Sequence, residues 1–150
     1  MLELMIVVLV IALVLAVCYP SLSRGSTAIR LRATARDILS TFRYAREKAV
    51  TEQTGMRVAV DREKQELVLT DDFGDGARRY KLPETVRIYR IMLAGNEVME
   101  GPLVVRFLPN GSAENAEIWL KSVSGSYLRV ITDPITGGAR VASDSGEGGQ

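Results

Sequence analysis

The chain has 150 residues, a net charge of +1 at pH 7, one cysteine and no histidine. This length allows one membrane segment and one domain that buries its own core. The near-neutral charge gives no preference for nucleic acid or for an acidic substrate. Without histidine, the commonest general base and the commonest metal ligand are missing, and the lone Cys18 excludes an intramolecular disulfide. We therefore expect no catalytic residues, no cofactor and no metal site.

The first predicted element is an apolar helix at Met1–Tyr19. Residues 4–19 contain no charge, glycine or proline, and Pro20 ends the run. At 1.5 Å per residue the run is about 24 Å long, a little short of a hydrocarbon core of about 30 Å. We predict a single membrane span within residues 1–22. An ordinary membrane anchor or an uncleaved signal sequence would have a similar pattern.

Glu3 is the only acidic or basic side chain in this segment. An ionised side chain at the centre of a bilayer costs roughly 2.5–3.5 kcal/mol on insertion scales, and less near the interface. A carboxylate at the head of an apolar helix is therefore a candidate functional residue.

A second helical pattern runs from about residue 26 to residue 53. Its apolar side chains recur every three or four residues, which places them on one helix face. We predict that this face packs on a sheet, and its members are Leu31, Ala35, Ile38, Phe42, Ala45 and Ala49. The arginines off this stripe are predicted to be solvated, with a contact surface for subunits or nucleic acid as the alternative. Gly55 is predicted to stop the helix.

Beyond Gly55 the pattern alternates between apolar and polar residues, which predicts β-strands. The predicted strands are Met56–Asp61, Gln65–Thr70, Arg78–Leu82, Val86–Ile91, Leu103–Leu108, Ala116–Lys121, Tyr127–Thr132 and Ala139–Ala142. Trp119 is predicted to be a core residue, and residues 94–102 a polar connection. Ser143–Gln150 has nothing to bury and is predicted to be disordered. The expected fold class is α+β, with a long N-terminal helix packed on an antiparallel β-domain at residues 23–142.

The acidic stretch Asp71–Gly76 is similar to two known motifs and fits neither. An EF-hand loop needs oxygen ligands at alternate positions and a later glutamate, but Phe73 and Leu82 occupy two of those places. Asp72-Phe73-Gly74 repeats the magnesium-binding tripeptide of kinases without the rest of a kinase. We predict a solvated loop here.

The chain reads L-E-L-M-I-V-V-L-V-I-A at Leu2–Ala12. This stretch resembles the start of type IV pilins and type II secretion pseudopilins. Glu3 matches the glutamate of their signature, and Pro20 matches the proline that these families place in the helix. The Gly, Phe and Thr that precede this glutamate in those families are absent. We therefore expect the natural chain to carry a leader ahead of Met1.

Two further stretches resemble the GspH/FimT pseudopilin family. Ala33–Thr51 followed by M-R-V-A-V-D resembles its characteristic block, and R-F-L-P-N-G-S-A (Arg106–Ala113) and the D-P-I-T-G turn (Asp133–Gly137) resemble its C-terminal half. The resemblance implies a type IV pilin-like fold and a minor pseudopilin, a structural subunit of the fibre that helps to export folded proteins across the outer membrane. It also implies that Glu3 pairs with the N-terminal amine of a neighbouring subunit during assembly.

The same resemblance implies the partners and the location. The partners would be other major and minor pseudopilins and the inner-membrane secretion platform. The location would be the Gram-negative inner membrane, with one span and the C-terminal domain in the periplasm, and afterwards the pseudopilus.

A FimT-like minor type IV pilin, involved in pilus assembly or DNA uptake, is the alternative. Some FimT members bind DNA through a Gly-Arg-x-Arg motif, whose best match here is Gly137-Gly138-Ala139-Arg140, with one arginine missing. Arg140 is thus at most a weak anion contact, and the nearby Asp144 and Glu147 oppose phosphate binding. We favour secretion over DNA uptake. An anchored periplasmic enzyme is disfavoured because the sequence contains neither a histidine nor a nucleophile motif.

Overall fold

A computed structural model describes residues 2–143, with side chains for residues 3–15 and 27–143. A single helix, α1, extends from Leu2 to Glu52, so the two predicted helical patterns form one continuous element. The predicted disordered tail lies outside the described residues except for Ser143. The side chain of Cys18 is likewise outside the described part.

The strands after α1 form two antiparallel sheets. Within the described residues they are β1 (Met56–Asp61), β2 (Glu66–Asp71), β3 (Arg78–Lys81), β4 (Val86–Leu93), β5 (Asn96–Glu97), β6 (Leu103–Phe107), β7 (Ala116–Ser122), β8 (Tyr127–Thr132) and β9 (Ala139–Ala142). The first sheet has the order β3-β2-β1-β6, and the second has the order β5-β4-β7-β8-β9. The predicted strands occur where expected, with ends that differ by no more than two residues. The short strand β5 was not predicted; it lies inside the predicted polar connection and pairs with the end of β4.

The core lies between α1 and the inner faces of the two sheets. The six residues of the predicted helix stripe are all 0–2% exposed. Phe42, at the middle of the stripe, packs on Phe107 of β6, with ring centroids 5.5 Å apart. Alternate residues of the strands face the same core, as in β6, where Leu103, Val105 and Phe107 are buried. The inward-facing residues of the strands and the buried stripe of α1 therefore form one apolar cluster.

A tyrosine ties the edge of the first sheet to the helix. The hydroxyl of Tyr80 in β3 donates a hydrogen bond to Asp37 Oδ2 at 2.7 Å. Burial, together with this hydrogen bond and the negative charge of Asp37, raises the pKa of Tyr80 to about 12. The hydroxyl therefore stays protonated and can donate throughout the neutral pH range.

The predicted helix stop at Gly55 is wrong. The helix ends at Glu52, and the residue after it, Gln53, adopts the left-handed conformation with φ of 51°. Gly55 serves a different purpose, because a Cβ atom there would overlap the Asp72 carboxylate. That carboxylate accepts a hydrogen bond from Arg57 Nε at 2.7 Å, so Gly55 makes room for an ion pair beside β1.

The prediction that Trp119 is a core residue is also wrong. On β7 the buried residues are Ala116, Ile118, Leu120 and Ser122, so Trp119 has the opposite parity and lies half-buried on the outer face. Alternate residues of a strand face opposite sides of the sheet, and Trp119 shares its side with Glu117 and Lys121, so the alternation in β7 already indicated the outer face.

Candidate functional site

The first candidate site is an uncovered apolar surface on the N-terminal part of α1. Between Leu4 and Leu15 the large apolar side chains are each 50–74% exposed. Contiguous apolar surface of this kind marks contacts with protein or membrane. Among the residues described with their side chains, 3–15 and 27–143, no helix is long and apolar enough to cross a membrane.

Glu3 lies in the first turn of this helix and is exposed. A carboxylate in the first turn interacts favourably with the helix dipole, by about 0.3–1 kcal/mol at an exposed site. The ion pairs formed among the described side chains do not involve Glu3. Its charge is therefore available to a group outside the described residues.

The two ends of α1 have different surroundings. The part from Leu4 to Leu15 has apolar side chains exposed in all directions, whereas the part from Leu31 to Ala49 buries one face in the domain. The arginines predicted to be solvated (Arg32, Arg36 and Arg43) are exposed on the opposite face. One helix thus connects an uncovered apolar segment to a folded domain.

Arg46 is exposed like the other helix arginines, but it also joins the helix to two turns. Its Nε donates a hydrogen bond to the carbonyl oxygen of Gly111 at 3.2 Å. The same carbonyl lies where a Cβ atom of Gly137 would be, and Gly137 has φ of 62°. We call Arg46, Gly111 and Gly137 the turn junction. It brings together three stretches that are far apart in the sequence.

The second turn of this junction is closed by Asp133. Its Oδ1 accepts hydrogen bonds from the backbone N–H groups of Ile135 and Thr136, at 2.9 and 3.1 Å. These bonds, that of Thr136 first, hold the pKa of the Asp133 carboxyl below its usual value. The carboxylate is therefore ionised at neutral pH and keeps the turn in shape.

Arg140 is exposed on β9, opposite Ile131 of β8. The Asp133 carboxylate is near enough for a weak attraction, although the two described side chains form no ion pair. The described surroundings of Arg140 thus provide a poor site for a phosphate group, because a negative charge already lies nearby.

The acidic loop at Asp71–Gly76 holds itself together by local hydrogen bonds. Asp71 Oδ1 accepts from the N–H groups of Phe73 and Asp75, and Asp72 pairs with Arg57. Among the described residues, acidic and cysteine side chains do not gather into a group that could hold a metal ion.

The family model described as Type II transport protein GspH matches residues 34–137 of the chain. The chain belongs to the GspH family. The match includes most of the buried helix stripe and all three residues of the turn junction. Glu3 and Arg140 lie outside the matched region of this GspH-family chain. No curated protein matches its sequence.

Two solved structures of the minor pseudopilin EpsH from the type 2 secretion system of Vibrio cholerae resemble the GspH-family chain. One has a TM-score of 0.61 at 13% identity and covers 78% of this chain and 99% of its own. The other has a TM-score of 0.63 at 14% identity and covers 79% and 96% respectively. The α+β fold with antiparallel sheets is therefore the fold of these pseudopilins.

We expect no appreciable DNA binding by this GspH-family chain, because its charge is near neutral and the negative charge of Asp133 lies near Arg140. Titrating the purified chain with duplex DNA at low and moderate salt, alongside Arg140→Ala, measures this. Both proteins should show the same weak signal. Micromolar affinity that falls steeply with salt and disappears in Arg140→Ala would contradict the expectation and favour a DNA-uptake role.

Proposed function

We propose that this GspH-family chain is a minor pseudopilin, a structural subunit of the type II secretion pseudopilus that helps to export folded proteins across the outer membrane. The observation that supports this role is the uncovered apolar part of α1, from Leu4 to Leu15, joined without a break to a folded domain. Membership in the GspH family agrees with it. In this proposal residues 1–22 lie first in the inner membrane and then in the core of the fibre, and residues 23–142 form the periplasmic domain.

The energetic reason is that the apolar segment must be covered. Removing one Val, Leu, Ile or Met side chain from water stabilises a structure by about 1.5–3 kcal/mol. A bilayer and the centre of a helical fibre both provide such cover. Transfer between them exchanges one apolar environment for another, so entry into the fibre need not lose hydrophobic free energy.

Glu3 would favour transfer from the membrane into the fibre over the reverse. An unpaired carboxylate is unfavourable in hydrocarbon, and pairing with a cation relieves that penalty. In our proposal the cation is the N-terminal amine of a neighbouring pseudopilin. This pairing would fix the axial position of one subunit relative to the next in the fibre. The partners are thus the other major and minor pseudopilins, together with the inner-membrane secretion platform that loads them.

We expect Glu3→Ala in the fully processed chain to reduce incorporation into fibres while leaving the β-domain folded. Removing the carboxylate removes both its penalty in the membrane and its preference for a neighbour's amine. Crosslinking between this chain and the other pseudopilins in secreting cells measures incorporation. A melting curve of the domain measures folding.

Glu63→Ala is the matched control, because Glu63 is an exposed carboxylate in the turn between β1 and β2. This variant should crosslink as the unmodified chain does. Equal crosslinking in Glu3→Ala would rule out the pairing mechanism. An absence of any crosslink to pseudopilins from the unmodified chain would rule out the proposed function itself.

A further inference from the structure

Three aromatic side chains form a cluster on the outer face of the second sheet. A β-bulge in β4 lies between Ile88 and Arg90, and it places both Tyr89 and Arg90 on the exposed side. The ring centroid of Tyr89 lies 6.2 Å from that of Trp119 and 5.5 Å from that of Tyr127, and both pairs have an edge-to-face arrangement. We call Tyr89, Trp119 and Tyr127 the outer aromatic cluster.

Cations surround this cluster. The guanidinium groups of Arg90 and Arg129 lie over the Trp119 ring, at 6.0 and 4.8 Å from its centroid. Lys121 lies 5.2 Å from the centroid of the Tyr127 ring. The two arginines also have acidic partners, because Arg90 pairs with Glu97 at 3.4 Å and Arg129 pairs with Glu117 at 3.3 Å.

Lys121 and one further cation on this face, Arg87, have no such partner. Arg87 of β4 and Lys121 of β7 are directly opposite each other in the sheet, and both are exposed. Neither forms an ion pair with a described carboxylate. Like charges directly opposite each other on neighbouring strands destabilise a sheet. This face therefore carries an excess of positive charge that the domain itself does not neutralise.

The centre of the same face contains two hydrogen-bond donors without acceptors. Trp119 Nε1 and Arg129 Nε are buried, and neither has a partner among the described residues. A buried donor without an acceptor has lost its hydrogen bonds to water and gained none in return, so such groups need an explanation. Oxygen atoms of a bound partner, reached by a small movement of the aromatic rings, would satisfy both donors.

We propose that the outer aromatic cluster, with Arg87 and Lys121, binds an acidic segment of another pseudopilin. Tyr, Trp and Arg are the residues that most often dominate binding free energy at protein interfaces, and they meet here in one place. Carboxylates on the partner would neutralise the opposed Arg87 and Lys121 and would accept hydrogen bonds. This inference rests on the proposed function, since it takes the partner from the same fibre.

Single-stranded nucleic acid is the other ligand that aromatic and basic side chains can bind. That mode needs open ring faces on which bases stack. Here the guanidinium groups of Arg90 and Arg129 already lie over the indole of Trp119. Arg87, Arg90 and Lys121 are exposed to a partner, whereas the guanidinium groups cover the indole, so an acidic protein segment fits better than a stacked base.

The test places a photoreactive benzoylphenylalanine at Tyr127 of the full chain in secreting cells and identifies the crosslinked segment by mass spectrometry. A crosslink to an acidic segment of another pseudopilin is expected. The double variant Arg87→Glu with Lys121→Glu should reduce its yield on the order of tenfold. Lysine substitutions in the acidic segment should then restore the yield.

The matched control reverses two exposed cations on the outer face of the other sheet, by Lys81→Glu with Arg106→Glu. It changes the net charge equally and should leave the crosslink intact. If the glutamate variant does not fold, Arg87→Gln with Lys121→Gln provides a milder loss of charge, and its melting curve checks the fold.

A crosslink that is insensitive to these charges, or one to a neutral segment, a lipid or a nucleic acid, would overturn the inference. A second photoreactive residue, at Val8 on the apolar part of α1, separates it from the proposed function. Crosslinks to pseudopilins from Val8 with none from Tyr127 would reject only the outer face as the binding site. No crosslink from either position would reject the pseudopilin role as well.

Discussion

Phe42→Ala is expected to lower the free energy of unfolding of the domain by about 3–5 kcal/mol. Phe42 is 1% exposed and packs on Phe107, at the centre of the face that α1 buries. Truncation removes the apolar side chain and leaves a cavity between the helix and the first sheet. Chemical denaturation of a chain that begins at Ser26 measures the change. We expect this shorter chain to be a soluble, folded monomer because it keeps the helix stripe and both sheets.

Phe73→Ala is the matched control for this prediction. It is the same substitution at a phenylalanine that is 82% exposed in the loop at Asp71–Gly76. Its effect should stay within about 0.5 kcal/mol, as is usual for surface positions. Equal stability of the two variants would show that Phe42 is not part of the core.

Gly137→Ala is expected to lower the free energy of unfolding by roughly 2–5 kcal/mol. An alanine in the left-handed conformation costs about 1–2 kcal/mol, and overpacking adds about 1–3 kcal/mol. Both apply here, because Gly137 has φ of 62° and its added Cβ would collide with the backbone carbonyl of Gly111. Relief of the collision would move the turn away from Arg46, so the effect should reach the helix.

Gly125→Ala separates the two costs. Gly125 has φ of 85° with open space around the added Cβ, so only the conformational cost of about 1–2 kcal/mol applies. The same denaturation measurement compares the two variants. If Gly137→Ala were no more harmful than Gly125→Ala, the turn junction would contribute nothing to stability.

The helix stripe and most strands could be predicted because each follows from a short period in the sequence. Leu31, Ala35 and Ile38 are spaced as a helix requires, and their burial needs no knowledge of the partner surface. The face of Trp119 follows from the same kind of pattern. Trp119 shares its side of β7 with Glu117 and Lys121, and the prediction of a core role failed because it gave the apolar indole more weight than this alternation.

The turn junction could not be predicted from the sequence. Arg46 has the same pattern as the other exposed helix arginines, and its contact with Gly111 exists only once two distant turns have folded against α1. The β-bulge in β4 places Arg90 opposite Trp119, and its trace in the sequence is only the step of three residues between the apolar Ile88 and Ile91. The role of Glu3 depends on a neighbouring subunit, so a single chain contains only half of that interaction.

The way in which α1 is held has a mechanical consequence. The buried stripe from Leu31 to Ala49 extends over about 27 Å of helix and contacts both sheets along its flank. A force applied along the axis at the apolar end would load these contacts in parallel, as shear, and would not peel them apart one after another. A subunit drawn out of a membrane or pushed along a fibre by its helix would thus carry its domain with it as a rigid load.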